Sequence, residues 1–394
     1  MAPLASAPGV LRAARREAER LVASRHALVL LVFLPLAGFS LATAIFWNRL
    51  PEELPVAVVD ADRSLLSRRL VRMLDAAKSM RVAGPYATSG EALDEVLAGR
   101  AYGIVSVPRH FERDVKRGAA PKVVLHYDAL TMIPGSILKR DVRAVVGTLS
   151  AGVEIQARRA LGETPDVAGA RFEPVRSLRG ALFNPGLDYR AFLLPAVLAT
   201  LLSIFVLVAG VHALGVELRD GTAAEWLASG GSATRAVLGK LLPQALWFTA
   251  VGLAALAFPL RFLDVPLRGS ASLVALATLL LVLGYQAVAL LLVAGSANLR
   301  FASSAAAFYG GPAFAFTGIT FPTFGMPLAA QLWGALLPLT HFLALLLAQA
   351  MRGAPASASL SPLGALLAFV LVLPPLALWR MRRLMSDPAY WGRT

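Results

Sequence analysis

Seven stretches of this chain run for about twenty residues without a single Asp, Glu, Lys or Arg: 27–47, 192–215, 241–260, 271–295, 303–320, 328–350 and 363–379. A helix rises 1.5 Å per residue, so each is long enough to cross the roughly 30 Å apolar core of a bilayer. Such a chain cannot fold as a soluble enzyme. Its composition agrees, with 57% hydrophobic residues, a mean hydropathy of +0.64 and 16% charged residues, against roughly a quarter in soluble domains. With no cysteine, disulfide scaffolds, thiol chemistry and Cys-ligated metal or iron–sulfur centres are excluded, while the compartment stays undecided. The net charge of +14 points to loops facing an anionic membrane surface rather than to nucleic acid.

Seven crossings would place the ends of the chain on opposite sides, yet both ends are basic: Arg12, Arg15, Arg16, Arg20 and Arg25 lead in, and Arg380, Arg382 and Arg383 follow the last window. The positive-inside bias puts both in the cytoplasm, so one window does not cross. Residues 328–350 are chosen, because Pro338, Thr340 and His341 interrupt them and Pro322 and Pro327 crowd their start. Non-helical backbone at that depth is tolerated where protein or water satisfies it, which suits a re-entrant hairpin on the outer side. The short loops then carry Arg219, Arg235, Lys240 and Arg300 inside against Arg261, Arg268 and Arg352 outside. The small-x-small Ala42-Thr43-Ala44 allows a signal peptide as the alternative reading of the first window. The long basic lead and the run through Ile45, Phe46 and Trp47 favour an uncleaved anchor. Residues 8–24, with Val10, Leu11, Leu21 and Val22 among arginines, read as an amphipathic helix on the inner surface.

Residues 48–189 form the one soluble-looking stretch, with 21 basic and 17 acidic residues, and so hold little of the net charge. Strands are expected at 55–60, 102–107 and 123–127 and helices at 64–74, 89–98 and 110–115, with a long helical stretch at 136–161. The alternation argues for an α/β domain. The expected fold is therefore an α-helical polytopic membrane protein of six transmembrane helices plus an outer re-entrant hairpin, with an inserted α/β extracytoplasmic domain. Its parts are a cytoplasmic amphipathic helix (1–26), a first transmembrane helix (27–47), the α/β domain with its helical stalk (48–189), spans two to six (190–381) and a cytoplasmic tail (382–394). Within 190–381 lie an inner loop at 216–240 and the outer re-entrant segment at 321–350.

Catalytic signatures are missing. Asp60 and Asp62 close the first strand, where Asp62 is better placed to cap the following helix than to hold a metal. The five histidines, at 26, 110, 126, 212 and 341, have no ligand spacing, and no Gly-x-Ser-x-Gly elbow occurs. The crossings hold no acid to relay ions. Gly239-Lys240 fails as a phosphate loop, because Thr234 replaces its first glycine and Leu241 its Ser or Thr. Such a chain must take its driving energy from elsewhere.

The inner loop offers a place to receive it: Glu217, Arg219, Gly221, Thr222, Glu225, Trp226 and Leu227, where a Gly-Thr start would cap a short helix carrying Trp226 and Leu227 as apolar knobs. With Asn184-Pro185 ahead of the second span, Phe321-Pro322 and Met326-Pro327 after the fifth, and Pro338-Leu-Thr-His341-Phe beyond, the order of motifs resembles the ABC-2 type of ATP-binding-cassette transporter permeases, in the branch with a large insertion after the first span. Ser229-Gly230-Gly231 departs from the Ser or Thr followed by Pro usual at the end of the coupling segment. The resemblance implies no cofactor in this chain, with ATP and Mg bound by a partner cytoplasmic ABC ATPase subunit that grips the coupling helix. It also implies a second permease subunit, as homo- or heterodimer, a bacterial inner-membrane location, and a periplasmic adaptor with an outer-membrane channel as further partners. Glu217, Arg219 and Glu225 would then contact the ATPase by charge, with Trp226 and Leu227 as anchors.

The Gly310-Gly311-Pro312 break in the fifth window is accompanied by Phe308, Tyr309, Phe314, Phe316 and Phe321, which line a substrate path or else face lipid and packing neighbours. Two other readings of the whole chain stay open: an ATP-driven mechanotransmission subunit, which typically has four crossings, and an ion-coupled carrier using Gln244, Gln286 or His341.

Overall fold

The computed structural model describes residues 8–47, 52–160, 162, 183–184 and 188–392; Pro185 lies outside them. The chain divides into two compact units, residues 1–47 with 189–394, and residues 48–188.

The described residues of the first unit form helices and the turns between them, with no strand. Helix α1 (Val10–Ala23) carries an Arg15–Glu19 pair one turn apart and ends where Ser24 takes an extended backbone. Helix α2 (Arg25–Leu28) runs through a π-helical turn, Val29–Phe33, into α3 (Leu34–Ile45). Pro35 explains the wide turn: it has no N–H and its ring crowds the carbonyl four residues back, at Leu31. The freed Leu31 carbonyl accepts the indole N–H of Trp247 at 2.8 Å. The longest helices follow: α8 (Tyr189–Arg219), α10 (Ala233–Phe262), α11 (Ala271–Ser296) and α15 (Leu360–Ser386), with the short α9 (Ala223–Gly230) between α8 and α10. Ser232 and Ser270 cap α10 and α11 by accepting the N–H three residues on. Small residues let the helices approach: a Cβ on Gly210 would lie 2.9 Å from that of Ala289, and one on Gly252 2.5 Å from Leu202. Between α11 and α15 come α12 (Leu299–Gly310), α13 (Leu328–Ala335) and α14 (Pro338–Leu346).

Among the described residues, four helices have the length and composition to cross a membrane, and a fifth span appears if the pair bent by 84° at α13–α14 counts as one. The first window contributes the shorter apolar helix Val29–Ile45, 17 residues long, which is not among those four. The fifth window departs most from expectation, since α12 stops at Gly310 and Pro312 begins a 3-10 turn, Ala313–Phe316, with no donor to continue the ladder.

The second unit is a four-stranded sheet in the order β2-β1-β3-β4, made of β1 (Leu54–Asp60), β2 (Met80–Ala83), β3 (Gly103–Val107) and β4 (Val124–Tyr127). β1 is parallel to β2 and β3, with Val56 beside Val82 and Val58 beside Val105, whereas β4 runs antiparallel to β3. Helices α4 (Leu65–Asp75) and α7 (Met132–Ala160) cover the face of Val56 and Val58, and α5 (Ser89–Leu97) covers that of Ala57 and Val59. A short helix, α6 (Phe111–Lys116), follows β3. Every expected strand and helix falls within a few residues of its place, but β2 went unforeseen. The expected cap is corrected: Ser64, not Asp62, accepts the N–H of Ser67 at 3.1 Å. Asp62 instead accepts the Glu112 N–H at 3.0 Å, and Asp60 accepts the backbone N–H groups of Asp62 and Arg63 and the Ser67 hydroxyl.

Candidate functional site

The inner-loop residues singled out above meet at a junction of α1, α8, α9 and α10. After Glu217 the chain leaves α8 through Asp220 and Gly221, whose φ of +72° suits glycine. The Thr222 N–H donates to the Glu217 carbonyl at 3.0 Å. The hydroxyl of Thr222 does not cap α9 as expected; it donates to the Glu217 carboxylate. At its other end α9 closes on Gly231, again at φ +72°. A Cβ on Gly230 would sit 2.4 Å from the Ala236 nitrogen, so the Ser-Gly-Gly ending lets α9 press against the backbone of α10.

This placement divides the predicted residues into two groups. Trp226 is 1% exposed, donates its indole N–H to the Ala236 carbonyl at 2.9 Å, and has Lys240 Nζ 5.5 Å from its ring centre. It anchors α9 to α10 and is not an outward knob. Leu227 is half-buried, and Glu217 is fully buried. The open side of the junction carries Arg219, Asp220, Gly221 and Glu225.

Around Glu217 the structure gathers charges from distant parts of the chain. Arg16 donates to both its carboxylate oxygens at 2.7 and 3.2 Å, Arg20 at 2.5 Å and Lys240 at 2.7 Å. Lys240 also pairs with Glu17, which is buried in α1. Farther out Arg16 reaches Glu225 and Arg20 reaches Asp220, both at 3.7 Å, and Asp220 pairs with Arg219. Four cations face four carboxylates, so the buried charges are compensated. A compensated network adds little stability over an apolar core, but it fixes one geometry, because removing one partner strands a charge at a cost of about 3–5 kcal/mol. Helix α1 is seated beside it: a Cβ on Gly239 would fall 2.5 Å from the Ala13 Cβ and the Val10 carbonyl.

Sequence reasoning missed Arg16, Glu17, Arg20 and Lys240 as members of this site. Two signals were present: an acid inside a basic amphipathic helix, and Glu217 and Lys240 at facing ends of adjacent apolar windows.

The predicted path residues do not come together as one surface. Tyr309 packs against Tyr285 and Trp333 and donates its hydroxyl to the Leu336 carbonyl at 2.5 Å, and Phe308 also meets Trp333. Phe314 and Phe316 pack on the helical core, whereas Phe321 is 54% exposed and lies by Gly325. Of the other motif residues, Pro322 and Pro327 flank the short turn Thr323–Gly325, the Met326 carbonyl accepts from Gln331, and Pro338 opens α14. Asn184 closes a ring with the backbone of Asp188 through both amide atoms.

A family model described as an ABC-2 family transporter protein matches residues 26–379. The chain belongs to the ABC-2 transporter family. No curated protein matches it. As an ABC-2 permease it is a multi-pass membrane subunit of an ABC transporter, a transport component and not itself the ATPase, and the family implies a partner ATPase subunit. The matched region of this permease takes in Glu217, Lys240 and all of α9, while Arg16, Glu17 and Arg20 lie ahead of it.

Proposed function

We propose that this permease is the membrane subunit of an ATP-driven exporter that moves an amphipathic substrate outward, with α9 as the helix through which the ATPase acts. The observation that carries the reading is that the end of α8, the turn after it and α9 together have an open side and an anchored side. Arg219, Asp220, Gly221 and Glu225 are free to meet a protein partner, while Trp226 and the Glu217 network join the same short helix to α1, α8 and α10. A push on the open side then moves four helices together, which is how closure of two ATPase subunits would reach the membrane. The exposed charges supply charge-assisted contacts. On this reading the chain has six crossings and a re-entrant α13–α14, both termini lie in the cytoplasm of a bacterial inner membrane, and the α/β unit lies outside, facing a periplasmic adaptor. A second permease subunit completes the path beside Phe308 and Tyr309.

The test is purification in mild detergent from native membranes, followed by ATP hydrolysis with wild type, Glu225→Ala and Gly221→Pro. A stoichiometric ATPase subunit, lost in both variants, is expected. No ATPase after gentle cross-linking would sink the reading and return an ion-coupled carrier, whose transport an uncoupler would abolish. One observation favours a second reading: only four described helices are by themselves long and apolar enough to cross, as in a mechanotransmission subunit that works on outer partners. That subunit would hydrolyse ATP with its partner yet move no solute in sealed vesicles.

A further inference from the structure

In the α/β unit a crevice of about 500 Å³ opens at the carboxyl ends of β1 and β2, within the range of small-molecule sites. Its position follows from the topology. The connection from β1 leads to α4 on one face of the sheet and that from β2 to α5 on the other. Adjacent parallel strands whose chains part in this way leave a space between them, where ligands of open α/β sheets bind. Past the end of β2 the chain stays beside β1, the Tyr86 N–H donating to the Val58 carbonyl at 3.0 Å. Gly84 makes the bend at φ +106°, and a Cβ there would lie 2.6 Å from the Tyr86 ring.

The lining combines two chemistries. Its floor is apolar, made by Val58, Val71 and Val82, and its rim carries the exposed Arg63, Arg68 and Arg72. Arg68 and Arg72 stand one turn apart on α4, where like charges repel. Among the described residues none of the three arginines pairs with an acid. Asp60 is the one acid in the lining, and it is engaged by the N–H groups of Asp62 and Arg63 and by the Ser67 hydroxyl. Asp75, farther along α4, stays outside the lining and accepts the Val82 N–H at 2.9 Å. The crevice therefore keeps an excess of positive charge. The rim is also held in shape: Arg63 takes a left-handed backbone at φ +52°, and the Arg68 guanidinium donates twice to its carbonyl, at 3.1 and 2.8 Å. An inorganic anion would leave the valines wet, and a neutral apolar molecule would leave the guanidinium donors unused. An organic anion satisfies both.

We infer that the crevice at the ends of β1 and β2 binds a small organic anion, an acid group on a compact apolar body, with the acid on Arg68 and Arg72 and the body over Val58 and Val82. At the roughly 30 Å³ that a water takes in the liquid, the space corresponds to about 15 non-hydrogen atoms, the size of one or two rings with their acid group. The site lies wholly within the α/β unit, so the inference rests neither on the exporter reading nor on the side of the membrane that the unit faces.

Equilibrium dialysis of 2-naphthalenesulfonate against the full-length chain in phosphatidylcholine nanodiscs, with empty nanodiscs as the reference, tests it. Wild type should bind one probe per chain, saturably. Arg72→Gln removes a rim charge that no described residue engages, and should weaken binding about fivefold, the upper end for an exposed ion pair. Arg68→Gln and Arg72→Gln together should weaken it about twentyfold. Arg69→Gln removes an exposed charge of the same helix outside the lining, and its binding should match wild type. Uncharged naphthalene-2-sulfonamide should bind about tenfold more weakly than the sulfonate, and an excess of inorganic sulfate should not displace the probe. No saturable binding above empty nanodiscs, or equal losses in Arg69→Gln and Arg72→Gln, overturns the inference. Displacement by sulfate would make this a free-anion site, and equal binding of the sulfonamide a plain apolar crevice; either result refutes it. None of these readings involves the ATPase, so their failure leaves the exporter reading where it stands.

Discussion

Lys240→Met is the most informative single change at the charge cluster. It deletes the cation shared by two buried carboxylates, but the two are left in different states. Glu217 keeps Arg16, Arg20 and the Thr222 hydroxyl, whereas Glu17, 2% exposed, loses the Lys240 contact. The cost should then be close to that of one stranded buried charge, about 3 kcal/mol, the lower end of the range for breaking such pairs. Because Glu17 sits on α1, the energy is released when α1 lifts off α10. At about 1.4 kcal/mol per factor of ten, opening of α1 becomes more frequent by about a hundredfold. Hydrogen–deuterium exchange of the α1 amides, read in detergent by mass spectrometry, should accelerate by that factor while amides of α11 stay slow. Adding Glu17→Gln removes the stranded charge, so the double variant should recover more than half of the loss, a coupling of about 2 kcal/mol. Unchanged α1 exchange in Lys240→Met, or a double variant no slower than the single, would refute the argument that these charges hold α1 in place.

Three further outcomes are expected. Gly230→Ala puts a Cβ against the Ala236 nitrogen, where only backbone movement can relieve it, and should lower the melting temperature and release Trp226 fluorescence toward that of exposed indole, while Gly295→Ala, with open space around it, should do neither. The chain has no cysteine, so Ser89→Cys and Ser386→Cys can be labelled one at a time with an impermeant maleimide; modification from opposite sides of sealed vesicles is expected, and labelling from one side would overturn the proposed topology. In the α/β unit, Lys116 and the Leu66 N–H hold the Glu112 carboxyl at about 2, below its ordinary 4.5. A depressed carboxyl stabilises the fold above its unfolded value and loses that contribution as pH falls through its folded one, so the unit's melting temperature should drop between pH 4.5 and 2, by less in Glu112→Gln.

The helices and most of the α/β alternation were legible because apolar runs and periods are local properties of the chain. β2 escaped because it is a four-residue edge strand in which only Met80 is buried, and Arg81 within it reads as polar loop. The break after α12 was visible as Gly310-Gly311-Pro312, but its effect on span length depends on packing that periodicity does not carry. The cluster was hidden for a different reason. Arg16 and Glu217 are 201 residues apart, and Glu17 and Lys240 223, so nothing local marks them as partners. Trp226 misled because an aromatic on a short helix in a loop serves equally as a contact for another chain or as the helix's own anchor. Burial decides between these, and it follows from Gly230 allowing α9 to lie on α10.

The way α9 is bracketed to α8 has a mechanical consequence. Thr222 binds Glu217 twice, once through its N–H and once through its hydroxyl, which removes the swivel that Gly221 would otherwise provide. The bend between the two helices then behaves as a crank, and the 31 residues of α8 form an arm about 46 Å long. Rotating such an arm by about 5° at the α9 end sweeps its far end through about 4 Å, more than the width of a water molecule. Pro195, near that far end, interrupts the hydrogen-bond ladder and is where the arm would flex rather than transmit the whole sweep.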